Sequence, residues 1–220
     1  MSRDDDRTIA LRLVPVSRET VERLDAYVAL LTRWRPVVNL ISEESFKHVW
    51  TRHVADSAQL LSLAPGAHHW VDLGSGAGFP GLVIAIQLAD FPNARVHLIE
   101  SDQRKSAFLR EAARATGAPA IAHNVRVENA AEIIPGPVDA VTARAFAPLP
   151  RLIAFATLWL DKGAVGVFPR GRIGEADITD FQKHPDYSFD LVESRVDPDA
   201  RIAIVRNPAA GEGRQRPAER

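Results

Sequence analysis

The residues of this chain best placed to do chemistry are three alternating glycines and a carboxylate one strand later. Val71-Asp72-Leu73-Gly74-Ser75-Gly76-Ala77-Gly78 carries the apolar run from Trp70 to Leu73 straight into Gly-x-Gly-x-Gly, and an apolar helical pattern follows from Gly81 to Leu88. Glycine lets a backbone turn sharply and approach a ligand with no Cβ in the way. The helix start behind the loop offers free N–H groups. A strand, a glycine loop and a helix in this order make the nucleotide end of a doubly wound α/β fold. A dinucleotide pattern needs a further glycine where Phe79 stands; the shifted match Gly76, Gly78, Gly81 begins away from the strand, where the tight turn is required. Glu100 closes the next apolar run, Val96-His97-Leu98-Ile99. A carboxylate there can accept hydrogen bonds from both hydroxyls of a ribose. Asp72, the glycine loop and this late acid have the usual shape of an S-adenosylmethionine site, in which Gly74, Gly76 and Gly78 cradle the amino-acid and ribose parts. The bland alternative is a tight strand–helix turn with no ligand.

Four further clusters follow predicted strands or lie before the loop. Asn124-Val125-Arg126-Val127-Glu128 follows the third strand, where Val127 and Glu128 could flank an adenine; a solvated acidic loop fits the spacing as well. Thr142-Ala143-Arg144-Ala145-Phe146-Ala147-Pro148 follows the fourth, where many methyltransferases of exocyclic amino groups carry Asp/Asn-Pro-Pro-Tyr/Phe. Arg144 stands there instead. An arginine can hold an anion or offer donors to a guanine edge, or simply be a surface residue at a strand end. Arg52-His53-Val54-Ala55-Asp56-Ser57 puts Arg52 and Asp56 on one helix face, which spacing alone reads as an ion pair beside a half-buried His53. Phe168-Pro169-Arg170-Gly171-Arg172 ends the fifth strand on the same side of the sheet as Gly74 and Arg144, where Arg170 and Arg172 could contact phosphates. His68-His69 has no partner pattern for a metal, and His97 reads as a satisfied strand residue, so no metal is assigned.

The elements that would position these groups alternate. Strands are predicted near 70–73, 95–100, 119–123, 138–142, 163–168, 188–196 and 201–206, with helices near 80–90, 103–116, 129–133, 148–160 and 174–183. Such alternation means a mostly parallel sheet covered on both faces. The connection Asp197-Pro198-Asp199-Ala200 is too short for a parallel crossover, so the last two strands form an antiparallel hairpin. Ahead of the sheet, residues 1–15 read as polar and then strand-like or irregular. Ser17 caps a helix running to about Val38, with a kink or early stop at Pro36. Ser42 starts a second helical stretch with Phe46, Val49, Trp50, His53, Ser57, Leu60 and Leu61 along one side, closed by Pro65-Gly66. The division is a helical N-terminal extension over 1–66, a Rossmann-like domain over 67–206 and a disordered tail over 207–220, in one structural domain.

Composition narrows the chemistry. The chain has 220 residues and no cysteine, so it cannot supply the thiolate that methylation at pyrimidine C5 generally needs. Its net charge is −1, so any nucleic-acid surface must be local. No apolar run reaches the ~18 residues of a membrane span, and Met1-Ser2-Arg3-Asp4-Asp5-Asp6 is no signal peptide, which predicts a cytoplasmic protein without membrane contact.

Together the motifs resemble the RsmG (GidB) family, the bacterial 16S rRNA guanine-N7 methyltransferases. The resemblance rests on Asn39-Leu40, Arg52-His53-x-x-Asp56-Ser57, Asp72-Leu73-Gly74-Ser75-Gly76-Ala77-Gly78-Phe79-Pro80-Gly81, Glu100-Ser101 with Arg104-Lys105, Arg126-Val127-Glu128 and Arg144-Ala145. The Gly-Phe-Pro-Gly extension and Arg-His-x-x-Asp-Ser are the specific parts. It implies a class I S-adenosylmethionine-dependent methyltransferase, with a seven-stranded, mostly parallel sheet ending in an antiparallel hairpin. It implies that Gly74, Phe79, Val127, Glu128 and Arg144 line the cofactor site and that Glu100 takes the ribose. The implied partner is 16S rRNA or the small ribosomal subunit, methylated at a guanine of the 530 loop, by a monomer without metal. Arg52, His53, Arg170 and Arg172 are the expected RNA contacts, and Asp56 is the candidate to stabilise the cationic product ring. The chain departs from the family at Arg170, where lysine is usual, and at Trp34-Arg35 and Asn39-Leu40-Ile41, where Trp-Asn and Asn-Leu-Thr are usual. A small-molecule methyltransferase and a non-catalytic adenosylmethionine-binding regulator are the competing readings.

Overall fold

The computed structural model describes residues 3–174, 179, 181 and 183–213. Seven strands form one sheet: β1 His69–Leu73, β2 Arg95–Ile99, β3 Ala120–His123, β4 Ala140–Thr142, β5 Val165–Arg170, β6 Ser188–Glu193 and β7 Arg201–Arg206. Their order is β3-β2-β1-β4-β5-β7-β6. The first five are parallel, while β7 runs antiparallel between β5 and β6. The strand order reverses between β1 and β4, and the loops at their carboxyl ends therefore diverge and leave a crevice.

Near-continuous apolar strands are what a sheet covered on both faces demands. Trp70, Val96 and Leu98 face one core with Leu82 and Ile86 of α5 Gly81–Gln87 and Phe108 and Leu109 of α6 Gln103–Thr116. Val71, Leu73 and Ile99 face the other, against Leu152, Ile153, Ala156 and Trp159 of a longer helix, Leu149–Leu160. A short helix, Ala130–Ile133, lies between the third and fourth strands. The helix predicted over 174–183 falls largely outside the described residues.

The N-terminal segment departs from its sequence-based reading. Residues expected to be strand-like or irregular form helix α1, Arg3–Leu13. Only Asp6 and Ala10 of it are buried, so it carries almost no apolar stripe to betray it. Instead Asp6 reaches across the chain, accepting from the Trp50 N–H at 2.8 Å and the Thr51 hydroxyl at 2.5 Å. Helix α2, Arg18–Trp34, starts where Ser17 accepts from the Thr20 N–H. It stops ahead of Pro36, earlier than Val38. The second helical stretch is broken into α3 Glu43–Phe46, a π-helical turn Trp50–Ala55, α4 Asp56–Ala58 and a 3-10 turn Gln59–Leu63. Phe46, Val49, Trp50, His53, Ser57 and Leu60 are buried along it, but Leu61 is only partly so. These helices pack on the sheet domain's first face: Tyr27 meets Phe79 at 5.3 Å between centroids and Trp34 meets Phe108 at 5.8 Å. Pro208–Gly213 form a 3-10 turn; the rest of the tail expected to be disordered lies outside the described residues.

Across the second face, His69, His97 and His123 form a row. His97 Nε2 lies 2.9 Å from His69 Nε2, and its Nδ1 lies 2.8 Å from His123 Nε2. Burial lowers all three below the usual imidazole range, His97 to about 4, so the row is neutral at pH 7. His97 is thus a satisfied strand residue, as its position predicts.

Candidate active site

The carboxyl ends of β1, β2 and β4 surround a cavity of about 540 Å3, within the size range of small-molecule sites. Its floor is the glycine loop from Gly74 to Ala77; Gly78, expected to line it as well, faces Tyr27, Leu82 and Leu109 in the core instead. Gly74 has φ +74°, and a Cβ built there would lie 2.3 Å from Cδ2 of Phe146. Phe146 therefore rests on the loop, held by the left-handed Ala145 before it at φ 51°. Glu100 is buried and closes one wall. One carboxylate oxygen accepts from the Gly76 N–H at 2.9 Å and the other from the Asp102 N–H at 2.8 Å. Both oxygens keep a second lone pair for ribose hydroxyls. Val127, Glu128 and Phe79 line the same cavity. Lys105, Phe146 and Arg151 line it too; the first two stand inside motifs quoted from the sequence but had no role assigned, and Arg151 was not singled out, because no local pattern specifies which side chains meet at this cavity.

Behind the loop, Asp72 is fully buried. Its Oδ2 accepts from the Gly81 N–H at 3.1 Å, while its Oδ1 has no partner among the described residues. Gly81 is required by proximity: a Cβ there would come within 2.5 Å of the Asp72 side chain. Burial, outweighing the bonds from Ser75 and Gly81, pushes the carboxyl up to about 7. An unfolded chain ionises this group near pH 4. Between pH 4 and about 7 the folded protein therefore holds a proton that the unfolded chain has lost, and this group's contribution to stability falls as pH rises through that window. Asp72→Asn keeps the acceptor for Gly81 and removes the titration. Its stability relative to wild type, from urea denaturation, is expected to improve by about 2 kcal/mol between pH 5 and pH 8. The same difference at both pH values would show that Asp72 is ionised throughout.

Arg144 is the hub between the glycine-loop cavity and the N-terminal helices. Its guanidinium donates to the Arg52 carbonyl at 3.1 Å, to Asp56 Oδ2 at 3.2 Å and to His53 Nδ1 at 2.5 Å. It also lies over the Phe79 ring, 5.3 Å from the centroid, and His53 stacks on that ring at 4.9 Å. A guanidinium only donates, so His53 Nδ1 must accept and its proton is on Nε2, which is buried with no partner among the described residues. Burial, with Arg144 and Arg52 nearby, lowers His53 to about 3. Burial raises Asp56 against the pull of Arg144, and Gln59 donates to its other oxygen at 3.0 Å. The helix ion pair allowed by the spacing of Arg52 and Asp56 is not what forms; Arg144 takes Asp56 instead.

A second cavity, of about 500 Å3, shares Arg144 and Ala145 with the first. Arg52, His53, Asp56, Arg170 and Asp197 line it. Arg170 is half-buried and donates to the Ala147 carbonyl at 3.1 Å. Arg172 does not reach the cavity wall; it is exposed and pairs with Asp199 at 2.7 Å. Asp197 was read only as part of a turn. Because β7 is antiparallel to β5, with Arg201 opposite Arg170, that turn is carried to the ligand side of the sheet. Among the described residues, no group of three or more histidines or acids is arranged to hold a metal ion, and no helix is long and apolar enough to cross a membrane.

A sheet of this order, with one antiparallel strand inserted near its edge and a glycine loop at the reversal point, is the class I methyltransferase fold. A putative O-methyltransferase from Klebsiella pneumoniae superposes with a TM-score of 0.60 at 12% identity, over 93% of this chain and 96% of that one. The cofactor-bound Rv0187 from MTB superposes at 0.57 and 17% identity, over 94% and 97%. Within that class, the chain belongs to the rRNA small subunit methyltransferase G (GidB) family, whose model matches residues 20–196. It is 49% identical over 190 residues to ribosomal RNA small subunit methyltransferase G of Bradyrhizobium diazoefficiens, covering 86% of this chain and 73% of that protein. It is 48% identical over 201 residues to the protein of the same name from Methylobacterium sp. strain 4-46, covering 91% and 94%.

Proposed function

We propose that this protein transfers a methyl group from S-adenosylmethionine to N7 of a guanine in small-subunit rRNA. The observation that carries the reading is the wall of Arg144 and Ala145 common to both cavities, which sets an acceptor pocket directly against the cofactor pocket. The fit to the cofactor is chemical. Glu100 offers acceptors for a ribose, Val127 and Glu128 border the space beyond it, and the glycine loop admits the amino-acid part without a Cβ. When bound, the sulfonium supplies an activated methyl group and leaves with the electron pair of the broken carbon–sulfur bond.

The acceptor pocket favours a nucleophile with no proton to lose. His53 carries its proton on Nε2 and spends Nδ1 on Arg144, so it is no base. Asp56 is engaged by Arg144 and Gln59. Guanine N7 presents an in-plane lone pair and needs alignment rather than deprotonation. Asp56 acts through Arg144: the pair holds the shared wall and places a carboxylate near the ring that becomes cationic. Arg52 and Arg170 supply positive charge at the pocket for the RNA backbone, with Arg172 further out on the surface.

The test is position-specific. Small-subunit rRNA lacking the modification is incubated with protein and cofactor, then treated with borohydride and aniline. Strand scission at a single guanosine is the expected result. Methyl found only on an exocyclic nitrogen, a ribose or a pyrimidine carbon would overturn the assignment.

A further inference from the structure

The acceptor pocket contains a carboxylate that the transfer itself does not use. Asp197 opens the turn between β6 and β7 and lines the second cavity but not the first. It is exposed, yet its position is fixed from below. Gln59, which is buried, donates to Asp56 and to the Ser194 hydroxyl and accepts from the Arg195 N–H at 2.8 Å. Ser194 in turn accepts from the N–H groups of Val196 and Asp197. Asp197 Oδ1 accepts from the Asp199 N–H at 3.0 Å, which closes the turn. Among the described residues, its other oxygen has no hydrogen bond or ion pair. Asp197 lines this cavity together with Asp56, close enough to raise the Asp56 carboxyl slightly against the pull of Arg144.

We propose that Asp197 is the residue that selects guanine, accepting hydrogen bonds from N1–H and the exocyclic 2-amino group of the target base. This rests on the RNA guanine-N7 reading above. Guanine is the only standard base that presents two donors side by side on its pairing edge. Adenine and cytosine put a ring-nitrogen lone pair there, which a carboxylate repels, and uracil flanks its single N–H with two acceptors. A target base taken out of its stack is read on this edge. N7 lies on the opposite side of the purine. A base held by the hairpin carboxylate therefore turns N7 toward Arg144 and Ala145, the wall shared with the cofactor cavity.

The experiment crosses one substitution with one base analogue. Asp197→Asn keeps the oxygen that closes the turn and removes the second acceptor. The substrate is unmodified small-subunit rRNA carrying either guanosine or inosine at the target; inosine keeps N7, O6 and N1–H but lacks the 2-amino group. Wild type is expected to lose roughly tenfold in kcat/KM on inosine. Asp197→Asn is expected to lose roughly tenfold to a hundredfold on guanosine and to show little further loss on inosine. Its affinity for S-adenosylhomocysteine and its Tm should match wild type. Equal wild-type rates on both substrates, an unaffected variant, or a variant that keeps the wild-type ratio of guanosine to inosine would each overturn the proposal. Failure of the wild type to methylate the guanosine RNA at all would overturn the function itself, and this inference with it.

Discussion

Gly74→Val is expected to abolish cofactor binding. Two costs coincide at this position. The backbone is in the left-handed region at φ +74°, which a β-branched residue tolerates poorly, and the new Cβ would overlap the Phe146 ring at 2.3 Å. Relief requires either the loop to leave its path or Phe146 to leave the loop, and both reshape the cavity. Gly76→Ala is the comparison. Its φ is +56°, but the nearest atom to a Cβ there is the Gly74 carbonyl oxygen at 3.9 Å, so only the backbone cost of about 1–2 kcal/mol applies. Titration calorimetry with S-adenosylhomocysteine should show no measurable binding by the valine variant and a modest loss for the alanine variant. Full affinity in Gly74→Val would remove the glycine loop from the cofactor site.

Arg144→Ala is expected to lose methyl transfer by at least about a hundredfold and to destabilise the fold by about 2 kcal/mol. The substitution leaves Asp56 without its cation, and strands an acceptor on His53. Removing one partner of a fully buried pair costs about 3–5 kcal/mol; here the Arg144 and Asp56 side chains are 17% and 21% exposed, so water repays part of it. Arg144→Lys should not rescue, because one ammonium cannot reach three acceptors in the plane of a guanidinium. Arg144→Ala combined with Asp56→Ala should recover much of the stability in urea denaturation but none of the activity. Additive losses in the double variant would mean that the two side chains do not work as a unit.

The Arg144 hub also marks where sequence ceases to be informative. Local chemistry was enough for the glycine loop, for the capped helix after Ser17 and for the final hairpin, although its connection runs over seven residues, Ser194 to Ala200, where four were expected. In each case the deciding residues are neighbours in the chain. Arg144 and His53 are neighbours only in space, and spacing alone left Arg144 divided between ligand contact and surface. The same holds for α1. A helix whose anchor is Asp6 bonded to Trp50 and Thr51 has no apolar periodicity to read. The break in the helical stretch after Ser42 follows from these distant anchors and not from glycine or proline within it. Asp197 was recoverable in principle: antiparallel pairing of the last strand with the fifth brings its turn to the ligand side, but that pairing becomes visible only when the whole sheet is assembled.

The placement of β7 between β5 and β6 has a consequence for biosynthesis. The chain leaves the ribosome from its N-terminus, so β1 to β5 can assemble before Arg201–Arg206 exists. Throughout that interval, a few seconds at ordinary translation rates, the outer edge of β5 has no partner, and β6 has no route onto the sheet. An unpaired apolar edge invites pairing with another nascent chain. Val167 and Phe168 make this edge sticky, and Pro169 next to them interrupts its row of hydrogen-bond donors. The last strand of the sheet to be made is therefore the one that caps this edge, and a chain arrested before it would carry a nearly complete crevice beside an open seam.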